Sequence, residues 1–464
     1  MRYLKENKVA DIKIAYIGGG SRGWAWRLMS DLAMEGAISG EIKLYDIDQE
    51  ASKSNEIIGN KLSQRPDVVG KWHYRAVETL QEALEGSDFI IISILPGTFE
   101  EMASDVHTPE AYKIYQSVGD TCGPGGVIRA LRTIPMYVDI AENIKAYASD
   151  AWVINYTNPM TLCMKTLYSV FPKIKAFGCC HEVFGTQRLL ASMLEEMEGI
   201  KEISREEIKI NVKGINHFTW IDSAYYKGTD LMPLYEQFVD RYYNEGYQVA
   251  GDDHWLNSFF ESANRVKFDL FKRYGIIAAA GDRHLAEFMP PWYLKTPEIA
   301  QSWKFTLTPV SWRKENRQQL IEESQCLYSG EKEVVVTETG EDGVKQIKAL
   351  LGIEPLVTNV NIPNTGQISN LPLGAIVETN ALFTTNSVQA ICAGALPYAV
   401  HSLVNRHVLN QENLVKAILE KDKEQVFHVF MNEPLMTLDA NEGRELFEKM
   451  IRNTSSYLED WCLK

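Results

Sequence analysis

The 464-residue chain carries a net charge of −15, with 45% hydrophobic and 23% charged residues. That length leads us to expect two domains, or one large domain with an extension, and the composition supplies a large core. The acidic balance speaks against nucleic acid and anionic membrane as main partners. With no apolar run of membrane-spanning length, no signal peptide in the polar N-terminus and seven thinly spread cysteines, a cytoplasmic protein with reduced thiols is expected.

Residues 12–17 form an apolar run of strand length. It is followed by Gly18-Gly19-Gly20-Ser21-Arg22-Gly23 and then by a helical pattern over 24–34. This fits G-x-G-x-x-G in the place where it cradles a dinucleotide. Gly18 permits the tight turn, Gly20 lets backbone approach a pyrophosphate, and Gly23 allows close helix–strand packing. Ser21 and Arg22 belong to the same loop, and the helix start offers free N–H groups to the phosphates. A second strand over 42–45 ends at Asp46, at the spacing of an acid that binds ribose hydroxyls, so NAD is favoured over NADP. A glycine turn in an unrelated protein is the rival reading, weakened because strand, glycines, helix and acid are all in register.

Strands over 72–75, 89–94, 152–155 and 175–179 continue the alternation, with a helix over 77–84. Runs apolar on both faces indicate a parallel sheet covered on both sides. Residues 116–126, with three glycines and a proline in four positions, read as irregular backbone approaching a ligand, or as a surface turn. Arg129 and Arg132, one turn apart on the next helix, face that ligand or solvent. Asn155 and Asn158 close a strand just before Pro159. There an amide can bond cofactor or sugar hydroxyls, although an Asx turn is the plainer reading.

The pattern converges on Gly-Cys-Cys-His-Glu-Val-Phe-Gly at 178–185. We read it as a strand end presenting Cys180, His181 and Glu182 at the carboxyl edge of the sheet, where ligands bind, ahead of a helix from about residue 187. Neighbours in a strand point to opposite faces, so Cys180 and His181 are not expected to share one metal. A second run, 208–215, ends at Asn216-His217, whose imidazole could meet Cys180 in space. Two protein ligands would leave positions open for substrate oxygens, whereas a buried structural Cys and a core His are the plainer reading of each alone. A third cluster, Asp282-Arg283-His284 with Glu287, follows the apolar run 276–280. It is either a site or a helix start with Asp282 as N-cap.

Beyond about residue 190 the alternation breaks. Helices are expected over 231–243, 255–268, 316–324, 414–429 and 441–453, a strand over 334–336, and a charged hairpin or surface excursion over 330–342. The fold class is therefore α/β. A Rossmann-like NAD-binding parallel sheet occupies residues 1–190, and a second, mixed α+β substrate and metal domain occupies 191–464.

With these segments placed, the chain resembles glycoside hydrolase family 4, the NAD- and metal-dependent glycosidases, nearly end to end. The resemblance rests on residues 17–21, 119–126 and 155–159, on Cys180-His181 and Asn216-His217, and on Asn370-Leu371-Pro372 followed by Val377-Glu378. Cys180-His181-Glu182-Val183 is similar to the tetrad of the α-galacturonidase subgroup. The resemblance implies hydrolysis of α-galacturonides by NAD-mediated C3 oxidation, C2 deprotonation, elimination, water addition and re-reduction, instead of the usual pair of carboxylates. It implies Cys180 and His217 as Mn²⁺ ligands, Asp282 as base, His181 or Glu182 as acid, and Asn158, Arg283 and His284 around the uronide. It also implies a homodimer or homotetramer. Manganese on a thiolate is not what ligand softness suggests, so the metal's identity rests on the resemblance alone. An α-glucosidase or α-galactosidase of the same family stays open, as does an NAD-dependent hydroxy-acid dehydrogenase, which would produce NADH stoichiometrically.

Overall fold

The computed structural model describes residues 1–5 and 7–462, and its organising layer is one ten-stranded mixed sheet. Six strands run parallel: Val9–Ile17, Ile38–Tyr45, Trp72–Ala76, Phe89–Ile92, Trp152–Asn155 and Lys175–Gly178. Numbered along the chain, they lie side by side in the order 3-2-1-4-5-6. This is the doubly wound arrangement, with its switch point between the first and fourth strands. Ile90, Ile91, Ile92, Val153 and Ile154 are all buried, because stiff β-branched side chains fill both faces. Helices Trp24–Ala33, Gln49–Gln64 and Gly343–Leu350 pack on one face. Gly123–Tyr147 and Met160–Val170 pack on the other.

The boundary expected at residue 190 does not divide this sheet. Leu356–Pro363, Ile376–Thr384 and Ser387–Ala390 continue it antiparallel beyond Lys175–Gly178, joined where Asn361 pairs with Gly178. The intervening chain carries a second, antiparallel sheet, in which Phe218–Tyr226 pairs with Ile208–Ile215, Thr229–Asp230 and Ile277–Ala278. Pairing across such distances in sequence leaves no local pattern.

Several expected segments differ in the structure. Residues 123–126 are regular: helix Gly123–Tyr147 begins at the first glycine. A Cβ on Gly125 would stand 2.4 Å from Gln116 Nε2, so the glycines let a helix start pressed against a loop. Cys180, His181 and Glu182 are not in a strand. The strand stops at Gly178, His181 is the N-cap and Glu182 the first residue of helix Glu182–Glu198, so the opposite-faces argument lapses. Residues 255–264 are not helical, and helix Arg265–Tyr274 starts only after Asn264, at φ 57°. Residues 330–342 form neither hairpin nor strand. They make an extended strap held by Arg65 to the Val334 carbonyl (2.6 Å) and by Ser30 to the Thr337 carbonyl (2.7 Å). The helix expected over 414–429 is two, Tyr398–Leu419 and Lys423–Met431, with Asp422 capping the second. Among the described residues no helix is long and apolar enough to cross a membrane.

Candidate active site

The glycine loop sits at the switch point. Ile17 pairs with Ile92, and the next residue, Gly18, at φ 94°, lies so close to the neighbouring strand that a Cβ would be 2.0 Å from the Ser93 carbonyl oxygen. Only glycine fits that backbone and that approach. The Gly18 and Gly19 amides both donate to the Tyr45 carbonyl at 2.9 Å. Asp46 accepts from the Gly20 amide at 3.0 Å and from the Asp48 amide at 2.9 Å, and burial raises its carboxyl above the usual range. Arg22 turns aside to Asp48 at 3.4 Å. Gly23, expected to allow close packing, has nothing within 4 Å of where its Cβ would be, so its φ of 110° is what requires glycine. Asn55 was missed in the sequence. It donates to the Gly19 carbonyl at 2.8 Å and the Ser21 carbonyl at 3.1 Å, and its only sequence signal is a polar residue on a buried helix face.

A metal-donor group lies on the far side of the same mouth. Ligand atoms of Asp120, His217 and His284 all fall within 4.8 Å of one another. Each comes from a turn or helix start. Asp120 precedes helix Gly123–Tyr147. His217, at φ 64°, is in the two-residue turn closed by Ile215 and Phe218. His284 is in the first turn of Asp282–Phe288, and the two imidazole centres are 3.8 Å apart. His217 Nδ1 faces the Thr121 hydroxyl at 3.3 Å, and that hydroxyl donates to Asp120 at 2.7 Å. His284 Nδ1 faces Glu182 at 3.3 Å. A partner on Nδ1 leaves Nε2 of each ring as donor, with a carboxylate behind one of them, the usual second layer of a metal site.

The charges suit that role at His217 and Asp120, whereas His284 favours its charged form until a cation displaces the proton. Burial and the neighbouring His284 push His217 down to about 3, so it is neutral at pH 7, as a ligand must be. Against their burial, Glu182 is held well below the carboxylate range by His284 above all, and Asp120 is lowered by Arg129 and the two histidines. Against burial of its ring, His284 is raised by Glu182.

Cys180, expected to pair with His217, is not one of the three donors of that group. Burial pushes its thiol well above the ordinary value, and Glu378 and Glu182 add to this. Glu378 is itself buried, accepting from Asn216 at 3.2 Å and Asn359 at 2.6 Å, and the Asn359 amide also reaches the Cys180 carbonyl at 3.3 Å.

Three expected site residues are placed differently. Asn155 has no exposed surface. It accepts from Tyr137 at 2.5 Å and donates to the Thr157 carbonyl at 3.0 Å, so it braces the turn instead of facing a cofactor. Asp282, also fully buried, accepts from the backbone of Val266 (3.2 Å) and Lys267 (3.0 Å). Two residues apart on a helix point to nearly opposite sides, so Asp282 caps Arg265–Tyr274 while His284 turns to the donor group. Gly281, not Asp282, is the N-cap of its own helix. Arg283 gives Nη2 to the Ser117 carbonyl at 2.6 Å and to Thr308, fastening the loop before Asp120. Arg132 is spent on buried Asp105 at 2.5 Å. Asn158, in a cis bond to Pro159, keeps a buried Oδ1 with no hydrogen-bond partner among the described residues.

Glu287 supports the same loop, accepting from the Val118 amide at 2.6 Å and the Gly119 amide at 2.9 Å, and burial raises it to about 7. The folded protein therefore holds a proton that the unfolded chain releases from about pH 4.5 upward, and stability falls between about pH 4.5 and 7. Glu287→Gln keeps the acceptor and removes the titration. Denaturant melts should show that fall shrinking by up to about 3 kcal/mol, with the variant the more stable protein at pH 8.

The chain belongs to the family 4 glycosyl hydrolases. The family's model matches residues 13–196 and that of its C-terminal domain residues 212–436. The fold, a parallel nucleotide-type sheet with a second, mainly antiparallel unit, is that of the family. The chain is 62% identical, over the full length of both, to the α-galacturonidase of Thermoanaerobacterium saccharolyticum. Its structure superposes on that of the Bacillus subtilis protein lplD with a TM-score of 0.91 at 53% identity, covering 95% of this chain and all of the other. A 6-phospho-α-glucosidase from gut microorganisms, solved with NAD and Mn²⁺, shares the fold at TM-score 0.80 and 19% identity, covering 97% and 99%.

Proposed function

We propose that the protein is an NAD- and divalent-metal-dependent α-galacturonidase. One observation carries this reading. A donor group of Asp120, His217 and His284 stands at the mouth of a dinucleotide-type sheet, in a chain 62% identical end to end to an α-galacturonidase. When bound, NAD supplies a hydride acceptor and the metal a Lewis acid for neighbouring sugar oxygens.

The residues divide the remaining work. The Gly18–Gly20 loop, with Ser21 and Arg22 behind it, receives the pyrophosphate, and Asp46 meets the ribose, where its charge disfavours a 2′-phosphate. Asp120, His217 and His284 hold the metal, and one carboxylate with two imidazoles suits Mn²⁺ better than a thiolate does. Cys180, although outside those three donors, would be the further ligand, since a cation brought beside its buried thiol would favour the thiolate. The orphaned Oδ1 of Asn158 accepts a sugar hydroxyl. His181 protonates the leaving oxygen: its side chain is 47% exposed, Glu341 at 3.1 Å raises it, and an imidazolium near neutral pH needs no further tuning. Glu182, held too acidic to carry a proton, orients His284. Asp282 and Arg283 support the site from behind.

A homodimer or homotetramer belongs to the proposal. It is supported by bare apolar surface along Ile391, Ala395, Pro397 and Tyr398, the last 91% exposed. So does a cytoplasmic setting, supported by the free thiols of the six described cysteines. The test supplies an α-galacturonide and the matching α-glucoside with NAD⁺, Mn²⁺ and a thiol reductant, following free sugar and NADH together. Cleavage of the uronide without net NADH is expected. Steady NADH with no free sugar would instead make the protein a dehydrogenase.

A further inference from the structure

Three arginines act on Asp120, and they differ in what already holds them. Arg129, buried, gives Nη2 to the Asn158 carbonyl at 3.2 Å. Arg283, buried, is fastened to Ser117 and Thr308. Arg313 is in the first turn of helix Val310–Ser329 and half-buried, and it has no hydrogen bond or ion pair among the described residues. Its guanidinium is nevertheless held in place. Phe260 takes both Arg283 and Arg313, each 5.4 Å from the ring centre, and Phe260 packs on Trp312 at 5.2 Å.

The charge balance here is unusual. A cation in the first turn of a helix opposes the helix dipole, and Arg313 also stands near the like charges of Arg129 and Arg283. Asp120, the carboxylate they share, is committed to the donor group. Beyond the Phe260 ring and the shared Asp120, the helix start and the neighbouring Arg129 disfavour a guanidinium at this point, and its planar N–H fork makes no hydrogen bond among the described residues. An anionic substituent on the substrate would complete the set, and a carboxylate matches that fork with two parallel hydrogen bonds.

We propose that Arg313 reads the carboxylate of the uronide and so sets the preference for galacturonides over neutral galactosides. This rests on the α-galacturonidase reading and names the residue behind its specificity. Arg283, the first candidate from sequence, positions the loop that carries Asp120.

The test uses the full chain with NAD⁺ and Mn²⁺, as wild type, Arg313→Met and Arg313→Lys. Calorimetry measures binding of galacturonate, galactose and galactose 6-phosphate, and kcat/KM is measured on the uronide. Arg313→Met should weaken galacturonate binding and kcat/KM at least about thirtyfold, leaving galactose and NAD binding unchanged. Arg313→Lys, a single point charge, should fall between. Galacturonate and galactose weakening together would show a merely structural residue and overturn the proposal, as would no change in either. Galactose 6-phosphate binding as tightly as galacturonate to wild type would overturn it too, by making the subsite a phosphate subsite. If wild type cleaves no uronide, the activity reading fails, and the binding measurements still decide the role of Arg313.

Discussion

His217→Asn should fold, bind NAD with near wild-type affinity, and turn over at least about a thousandfold more slowly even in excess Mn²⁺. The size follows from what a Lewis acid contributes, several kcal/mol of transition-state stabilisation, of which about 4 kcal/mol corresponds to a thousandfold. Asparagine is the informative choice. His217 sits at φ 64° in a two-residue turn, a conformation asparagine tolerates better than alanine does, so the backbone survives while the imidazole is lost. The proposed NAD loop, at the switch point, contains none of the donor residues, so NAD binding separates loss of metal from loss of fold. Metal content per chain, measured by elemental analysis beside turnover, is the check. A variant that keeps its metal and its rate would remove His217 from the donor group.

Asp282→Ala should lose about 3–5 kcal/mol of stability, the cost of leaving a buried charge alone. Asp282 has no exposed surface and stands beside buried Lys267, whose ammonium burial pushes down to about 8. Without the carboxylate, two helix-start amides lose their acceptor, and Lys267 is left with the Thr186 hydroxyl at 2.9 Å and the charge of Glu182. Asp282→Asn separates support from chemistry. It keeps an oxygen for the cap, so it should melt closer to wild type and retain turnover within about tenfold. A general base would forfeit about a hundredfold or more. A stable Asp282→Asn protein without activity would return Asp282 to the role of base.

How much of this was legible in the sequence depends on range. The parallel strands, the glycine loop and Asp46 follow one another along the chain, and they stand where periodicity and spacing put them. His217 was visible because an apolar run stops just before it. Asp120 was hidden among glycines, and its kinship with His217 and His284 exists only in space. His284 reads in the sequence as a sugar contact, and its place beside Asp120 and His217 leaves no local mark that would separate a ligand from a sugar-facing ring. Asp282 looked like a cap or a base of its own segment and instead caps a different helix. Residues 255–264 carry helix-like apolar spacing, yet their aromatic rings pack on Trp312 and Arg313, a tertiary demand that overrides local preference.

The join between Asn361 and Gly178 limits how the cleft can move. The strand ending two residues before Cys180 and the strands bearing Asn359 and Glu378 belong to one hydrogen-bonded lattice. Two lobes hinged around the active centre would have to break that lattice to swing apart. A clamshell opening for a sugar is therefore not expected. Any movement at the cleft is expected in segments outside the lattice, among them residues 251–264 with Phe260, and not between the strands of the sheet itself.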